Sequence, residues 1–344
     1  MNRRSARSAL VAVLGAGMLL VVGGCSAAAP LPSPTPTPSF VSSYVPPPAY
    51  GIAPLTGEQI EVGALTAPSL AAKVDNHPDA RPQVGLERTD IVFEELVEGG
   101  LTRYVAVWHS DVPDVIGPVR SIRPMDPDII SPLGGIVAYS GGQSRFVEMM
   151  RAAPVYNAIH GQRDTDATFY RGDNADAPHN VLVRAPEVIA QHLDLAAPVQ
   201  QFAFAESVAA ATATAEGSPT AGIAMRFGGA SAPSWSWDAA GQRWLRFQTG
   251  GAPDTDFSGA QLSATNVVVL RVPVQVIQSI PTTQLIGSGE AWISTGGATV
   301  RATWSKRSMT APIRLLDING VAVRLAPGNT WVELVPLGGS LSYR

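Results

Sequence analysis

The sequence predicts an α/β N-terminal domain followed by a smaller β-rich C-terminal domain, and three observations carry that expectation. Between Leu70 and Leu193, apolar runs of strand length (Leu70–Val74, Ile91–Leu96, Arg103–His109, Ile136–Ser140) alternate with helix-like pieces, Ser144–Ala152 and Pro186–Leu193. From Gly222 onward the pattern is strand and turn only: Ile223–Phe227, Trp244–Phe247, Asn266–Leu270, Glu290–Ile293, Val300–Trp304 and Trp331–Val335 are parted by glycine, proline or Asp/Asn turns. The third observation is length, since about 290 residues follow the proline-rich segment described below, more than one domain usually holds. The expected organisation is 1–25 signal peptide, 26–50 tether, 51–205 α/β domain, 206–220 junction and 221–344 β-rich domain. The alanine-rich stretch Glu206–Glu216 with the following Gly-Ser-Pro is expected to be a loosely packed junction. Trp235, Trp237, Trp244, Trp292, Trp304 and Trp331 fall on or beside strand-like runs, where core packing is their default role and sugar stacking an alternative for one or two.

The N-terminus fixes the compartment. Arg3, Arg4 and Arg7 precede an apolar run from Ala9 to Val22 that closes on Val22-Gly23-Gly24-Cys25. Such a run is shorter than the roughly 20 residues that span a bilayer, and small residues before a cysteine are what a lipoprotein signal peptidase reads. Cys25, the one cysteine, is therefore expected to carry diacylglycerol and to anchor the protein at the extracytoplasmic face of the cell membrane, the alternative being a short transmembrane anchor with an incidental cysteine. From Ser26 to Tyr50 repeated prolines hold the chain near polyproline II, a tether able to reach roughly 70 Å at about 3 Å per residue.

Lipidation of Cys25 leaves the folded part without a thiol, which removes disulfides, thiolate metal sites and cysteine nucleophiles. Loss of the three signal-peptide arginines leaves 21 basic against 28 acidic residues, about −7 with His neutral, and argues against nucleic acid as a partner. Lys73 and Lys306 are the only lysines, so nearly all positive charge is guanidinium, suited to two-point contacts with carboxylate or phosphate.

Three stretches place charge and glycine inside otherwise buried patterns. In Lys73-Val-Asp75-Asn76-His77-Pro-Asp79-Ala-Arg81-Pro-Gln83, polar side chains gather at a strand end, where α/β sheets place ligands. Asp75, Asn76 and His77 offer metal ligands or hydrogen bonds to a sugar; the alternative is that Asp75 and Asn76 pair with backbone in a turn. In Arg88-Thr-Asp90-Ile-Val-Phe-Glu94-Glu95-Leu-Val-Glu98, strand alternation puts Glu94, Leu96 and Glu98 on one face. These acids act as acid and base, bind a cation with Asp90, or form a buried ion network with Arg88, Arg103 or Arg120. In Gly117-Pro118-Val119-Arg120-Ser121-Ile122-Arg123-Pro124, the sharp approach is expected to aim Arg120 and Arg123, with Ser121 between them, at a common anion; a solvated surface pair is the alternative, which leaves the flanking Gly-Pro and Pro124 unexplained. His179 and Asn180 follow Pro178 in a loop, and His179 serves as a base or metal ligand beside Asp75 or Glu95 if that loop folds over the strand ends; a helix cap or carbonyl bond is the alternative. His160, His109 and His192 are weaker candidates.

These residues carry a family resemblance. Pro54-Leu-Thr-Gly57, Asp75-Asn76-His77-Pro-Asp-Ala-Arg81-Pro-Gln83, Asp90-Ile-Val-Phe-Glu94-Glu95, Glu98-Gly99-Gly100-Leu-Thr-Arg103, Gly117-Pro-Val-Arg120-Ser121-Ile-Arg123, Ala177-Pro-His179-Asn180, Asn266-Val-Val-Val, Gly287-Ser-Gly289 and Pro327-Gly-Asn-Thr-Trp331 follow one another as in the DUF3048 or YerB-like bacterial lipoproteins. The resemblance implies an α/β domain and a smaller β-rich domain on a lipid anchor, and it brings no established reaction or cofactor. No acid stands in the Ser294-Thr-Gly-Gly turn, so no catalysis is assigned there.

Two functions compete. One is a tethered binding module whose N-terminal polar pocket (Asp75, Asn76, His77, Arg81, Glu94, Glu95, Glu98, Arg103, Arg120, Ser121, Arg123, His179, Asn180) takes peptidoglycan, an anionic wall polymer or a wall-synthesis protein. The other is an enzyme on a phosphorylated or anionic envelope substrate, with the arginines gripping phosphate and Asp75, Asp90 or Glu95 holding Mg²⁺ or moving a proton. Mg²⁺ enters only under this second reading, whose catalytic candidates are Asp75, Glu95 and His179. The order Arg-Thr-Asp, strand, arginine-bearing turn is similar to that of LytR-CpsA-Psr phosphotransferases over three short elements. No lipase elbow, zinc-protease helix or serine-lysine signature is present. Cys25→Ala is expected to move the protein out of the membrane fraction or leave it unprocessed, as fractionation and the mass of the mature chain will report.

Overall fold

The computed structural model describes residues 49–173 and 175–344. The expected signal peptide, Cys25 and nearly all of the expected tether lie outside these residues. From Ala49 to Arg344 the described residues belong to one compact unit.

Strand pairing explains that unity. In the first segment, β1 (Leu70–Asp75), β2 (Ile91–Leu96), β3 (Thr102–Trp108), β4 (Ile136–Tyr139) and β5 (Tyr156–Ile159) alternate with short helices α1 (Asp126–Ile130), α2 (Ser144–Arg151) and α3 (Ala185–Ala190). After α4 (Thr212–Glu216) come β6 (Gly222–Arg226), β7 (Ser234–Asp238), β8 (Arg243–Phe247), β9 (Asn266–Val272), β10 (Gly287–Thr295), β11 (Ala298–Lys306), β12 (Thr330–Pro336) and β13 (Ser340–Tyr343), with several shorter strands. The first segment thus mixes helices and strands, and residues 221–344 hold no helix among the described residues. One large sheet runs through both segments in the order β11-β10-β9-β12-β2-β3-β1-β4-β5. Its seam is the parallel pair β12 and β2, in register from Thr330↔Ile91 to Glu333↔Glu94.

Both faces of this sheet are covered from β9 to β4, where the strands are buried almost throughout, whereas β10 and β11 at the edge include exposed positions. Ile91 and Phe93 join one core with Val105, Val137, Val268 and Val332, roofed by Ile129 and Ile130 of α1 and by Phe146 and Met150 of α2. Phe146 and Met150 are one helical turn apart, the spacing that puts them on one face. Val92 points the other way, with Tyr104, Trp108, Val267 and Trp331, against Ile223, Met225, Trp235 and Trp244 of a second antiparallel sheet, which includes β8-β7-β6-β13. Trp235, Trp244, Trp304 and Trp331 are buried core residues.

The junction is packed rather than loose. Ala211 and Ala213 are buried, Ser218–Pro219 pairs with β11, and the Thr212 hydroxyl accepts a hydrogen bond from Arg324 N at 3.0 Å. Small alanine side chains let α4 lie close against the sheet, which composition alone does not distinguish from a linker.

Between the two sheets Arg246 of β8 is fully enclosed. Its Nη2 donates to Glu94 Oε2 at 2.5 Å, Nη1 to Glu333 Oε1 at 3.0 Å and Nε to Asp254 Oδ2 at 2.9 Å. The guanidinium lies 4.7 Å from the Trp331 ring and 5.4 Å from that of Trp235, and Trp235 Nε1 donates to Glu333 Oε1 at 2.7 Å. Burial, reinforced by Glu94, pushes the Glu333 carboxyl well above its ordinary value. A raised folded value means that the proton's contribution is complete below the unfolded value near 4.5 and is lost as pH rises through the folded one. Glu333→Gln is therefore expected to keep the fold and to gain stability relative to the parent as pH rises above about 4.5. Arg246→Met strands buried carboxylates and is expected to cost about 3–5 kcal/mol, both read by chemical denaturation across pH.

Candidate functional site

The site forms at the carboxyl end of β1. Lys73 and Asp75 share the face of Ala71, the side covered by α1 and α2. Beside β1 runs the Gly117–Arg120 segment, held by Asp75 N to Pro118 O at 2.9 Å and Arg120 N to Lys73 O at 2.7 Å. Glycine is required at 117: its φ is +138°, and a Cβ there would sit 2.9 Å from Val181 O. The chain then turns across β4, with Ser140 N donating to Arg120 O at 3.1 Å and Ile122 N to Gly141 O at 3.0 Å. This ladder delivers Arg120 and Arg123 to Asp75, and the β1–β3 register sets Arg103 directly opposite it.

A cavity of about 280 Å³ results, lined by Asp75, His77, Glu98, Arg103, Arg120, Arg123 and His179 among others. Asp75 is its hub. Oδ2 accepts from His179 Nδ1 at 2.7 Å and faces Arg120 Nε at 3.0 Å, Oδ1 accepts from His77 N at 3.1 Å, and Arg103 Nε stands 4.0 Å away. Because a carboxylate only accepts, the Nδ1 of His179 that faces Oδ2 carries a proton, and in the neutral ring Nε2 then bears the lone pair. The His77 and His179 rings stack at 4.6 Å with 18° between planes, and donor atoms of His77, Asp79 and His179 lie within 4.8 Å of one another, the group able to hold a metal among the described residues.

Arg123 grips Glu98 through two bonds, Nε to Oε2 at 2.9 Å and Nη2 to Oε1 at 2.8 Å. Burial opposes charge on Glu98, yet these contacts hold its carboxyl below the usual value. Arg103 is pulled down to about 10, first by burial and then by the neighbouring Arg123. Its Nη1 donates to Ser121 O at 3.1 Å, which also accepts from Arg123 Nη1 at 3.2 Å.

Under the cavity floor Lys73 is fully buried, ion-paired with Glu95 and, at 2.6 Å, with Asp126 Oδ1. Burial pulls its ammonium down to about 8 despite the opposing pull of Asp126. Asp126 Oδ2 accepts from Arg123 N at 2.5 Å, so this buried pair also fixes the arginine turn.

Of the sequence candidates, Asp75, His77, Glu98, Arg103, Arg120, Arg123 and His179 meet in the cavity. Ser121 contributes its carbonyl, while its hydroxyl donates to Ser140 O at 3.2 Å. Glu94 and Glu95 do not reach it: alternation sends Glu94 to Arg246 and Glu95 to Lys73, both fully buried. The expectation that Glu94 and Glu98 share a strand face fails because β2 ends at Leu96 and the chain turns through Glu98–Gly100. The predicted partners of these acids also differ, since Arg88 pairs with Asp111 at the surface. Asn76 and Arg81 bond each other, Nε to Oδ1 at 3.0 Å, and Asn76 Nδ2 donates to Thr102 Oγ1 at 2.8 Å. Asn180 accepts from Arg171 Nη1 at 2.8 Å. Asp90 lies outside the cavity, its carboxylate bonded to Ser110 and pushed up to about 6 by burial. His160, His109 and His192 engage Ser140 Oγ, Ala67 O and the Tyr156 ring respectively. Sequence reasoning missed Lys73, Asp126 and Arg246; a lysine inside an apolar strand was the one available signal.

Residues 55–197 match the family described as "Protein of unknown function (DUF3048) N-terminal domain", and residues 223–332 match its C-terminal domain. The chain belongs to the DUF3048 family. It is 34% identical over 128 residues to the putative lipoprotein YerB of Bacillus subtilis (strain 168), a match covering 37% of this chain and 38% of that relative. The crystal structure of YerB from Bacillus subtilis shares the fold, with a TM-score of 0.72 at 23% identity over 85% of this chain and 99% of that one. Among the described residues no helix is long and apolar enough to cross a membrane.

Lys73→Met leaves Glu95 and Asp126 buried without their counter-charge and is expected to cost about 3–5 kcal/mol in denaturation. Adding Glu95→Gln to it should recover part of that loss.

Proposed function

We propose that this family member is a lipid-anchored module at the extracytoplasmic face of the cell membrane. Its cavity binds an anionic group of a cell-envelope polymer, or of a partner in that polymer's synthesis. The observation that carries the reading is the convergence of three guanidinium groups on one cavity of about 280 Å³ beside only two carboxylates, Asp75 and Glu98. Arg103, depressed by burial and by Arg123, gains from any phosphate or carboxylate that neutralises the pair. Guanidinium also suits such groups through two-point bonds. The name of the Bacillus relative includes "lipoprotein" and supports the anchor read from Cys25. With about −7 of net charge after processing, the chain is a poor match for nucleic acid.

A second reading, an enzyme acting on a phosphorylated envelope substrate, draws support from the Asp75–His179 bond of 2.7 Å, through which a neutral imidazole would present Nε2 as a base. Glu95 has no part in it, being sealed with Lys73, and the acids Asp75, Asp90 and Glu95 do not converge on a Mg²⁺ position.

Changing Arg120 and Arg123 to Gln is expected to weaken binding of a phosphorylated wall fragment at least tenfold by calorimetry, on roughly 1.5–3 kcal/mol per charged bond. Lysine at these positions should restore it only in part. Loss of turnover with binding kept in His179→Gln selects the enzyme, and absence of turnover in the parent with any divalent metal selects the module. If the double variant unfolds, these arginines are structural and the anion site is refuted.

A further inference from the structure

We propose that His77, Asp79 and His179 bind a divalent transition metal, zinc foremost, at the rim of the arginine cavity. The donor set and its spacing carry this. His77 Nδ1 and Asp79 Oδ2 stand 3.4 Å apart. Two zinc ligands at about 2.0–2.2 Å in tetrahedral array lie about 3.3–3.5 Å from each other, so an ion fits between these atoms with little movement. What it displaces is weak: His77 Nδ1 accepts from Asp79 N at 3.2 Å, and Asp79 is exposed enough for water to replace that bond. His179 offers the third ligand. Its Nδ1 faces buried Asp75 at 2.7 Å, so the neutral ring carries its proton there and presents Nε2 outward, the carboxylate–histidine arrangement that backs metal-bound imidazoles. The rings lie 18° from parallel, so closing on one ion asks them to tilt apart about χ2, a broad torsion for histidine.

Two imidazoles and one carboxylate select zinc, nickel or copper over Mg²⁺ or Ca²⁺, which take oxygen ligands. This replaces the Mg²⁺ of the enzymatic reading with a different ion at different residues. Three protein ligands leave a fourth position open, and the ion shares its rim with Arg120 and Arg103. A bound anion would then meet metal and guanidinium together. That last step rests on the anion site proposed above; metal binding does not.

The test uses the full Cys25→Ala chain in detergent, which removes the one thiol. Calorimetry with Zn²⁺ alone should show one equivalent bound and no comparable uptake of Mg²⁺, and Co²⁺ should give the visible absorption of a four-coordinate nitrogen–oxygen site. His77→Ala and His179→Ala should each lower zinc affinity at least 100-fold with circular dichroism unchanged. Asp75→Asn, a positioning change, should lower it 10–100-fold. Absence of saturable zinc uptake, or uptake unchanged in the double histidine variant, overturns the site. If an alanine variant fails to fold, His77→Gln and the Co²⁺ spectrum of the otherwise unaltered chain decide in its place. Inorganic phosphate titrated in the presence of EDTA reports on the arginines separately, so either site can fail without the other.

Discussion

The architecture depends on one buried guanidinium. Arg246 comes from the second sheet and meets Glu94 of β2 and Glu333 of β12, the two strands whose parallel pairing joins the N-terminal and C-terminal segments into one sheet. Opposed carboxylates on adjacent strands repel, and at full burial neither has water to screen it. The arrangement is tolerable because the cation sits between them, and burial with the neighbouring Glu94 raises the affinity of Glu333 for a proton. The three aromatic rings of Tyr104, Trp235 and Trp331 close around the charge and exclude solvent. Each segment therefore lacks part of its own core until the other is in place.

The same strand β2 separates fold from function by parity. Glu94 faces Arg246 and Glu95 faces Lys73, so two adjacent acids serve two buried networks on opposite faces of the sheet. On β1 the separation works along the strand instead. Lys73 and Asp75 lie on one face, two residues apart, but Lys73 is sealed under the helices whereas Asp75 opens into the cavity. Asp126 links the levels, neutralising Lys73 with one oxygen and holding the Arg123 backbone with the other. Buried ion pairs thus support the cavity floor, as the proposed anion site requires.

Much of this was legible in the sequence where local rules decide. The strand at Leu70–Val74, the Gly-Pro approach to Arg120 and the loop carrying His179 each follow from punctuation by glycine and proline, and they do assemble Asp75, Arg120, Arg123 and His179. Glu94 and Glu95 were misplaced because alternation reveals opposite faces but not which face holds the cavity. Glu98 escaped the rule since β2 stops two residues before it. Arg246 lies 152 residues from Glu94 and gives no local sign of its partner. The alanine-rich junction misled for a different reason: small side chains serve equally in a linker and in close helix-to-sheet packing.

The three cavity arginines are not equivalent, which bears on what the pocket can do. Arg123 spends its donors on Glu98 and on the Ser121 and Ile122 carbonyls, and Arg103 is bonded to Ser121 O, so both are partly structural. Arg120 is the most exposed, its side chain 22% accessible against 10% for Arg103 and 11% for Arg123. It meets Asp75 through Nε, which leaves its terminal nitrogens as the cavity's readiest donors. Asp75 faces a matching division, accepting from His179 and facing Arg120 with the same oxygen. A ligand anion that draws Arg120 toward itself would strengthen the hold of Asp75 on His179, and with it the basicity of Nε2. An anion in the proposed site would thereby be coupled to the imidazole through one carboxylate, whether the histidine takes a proton or a metal.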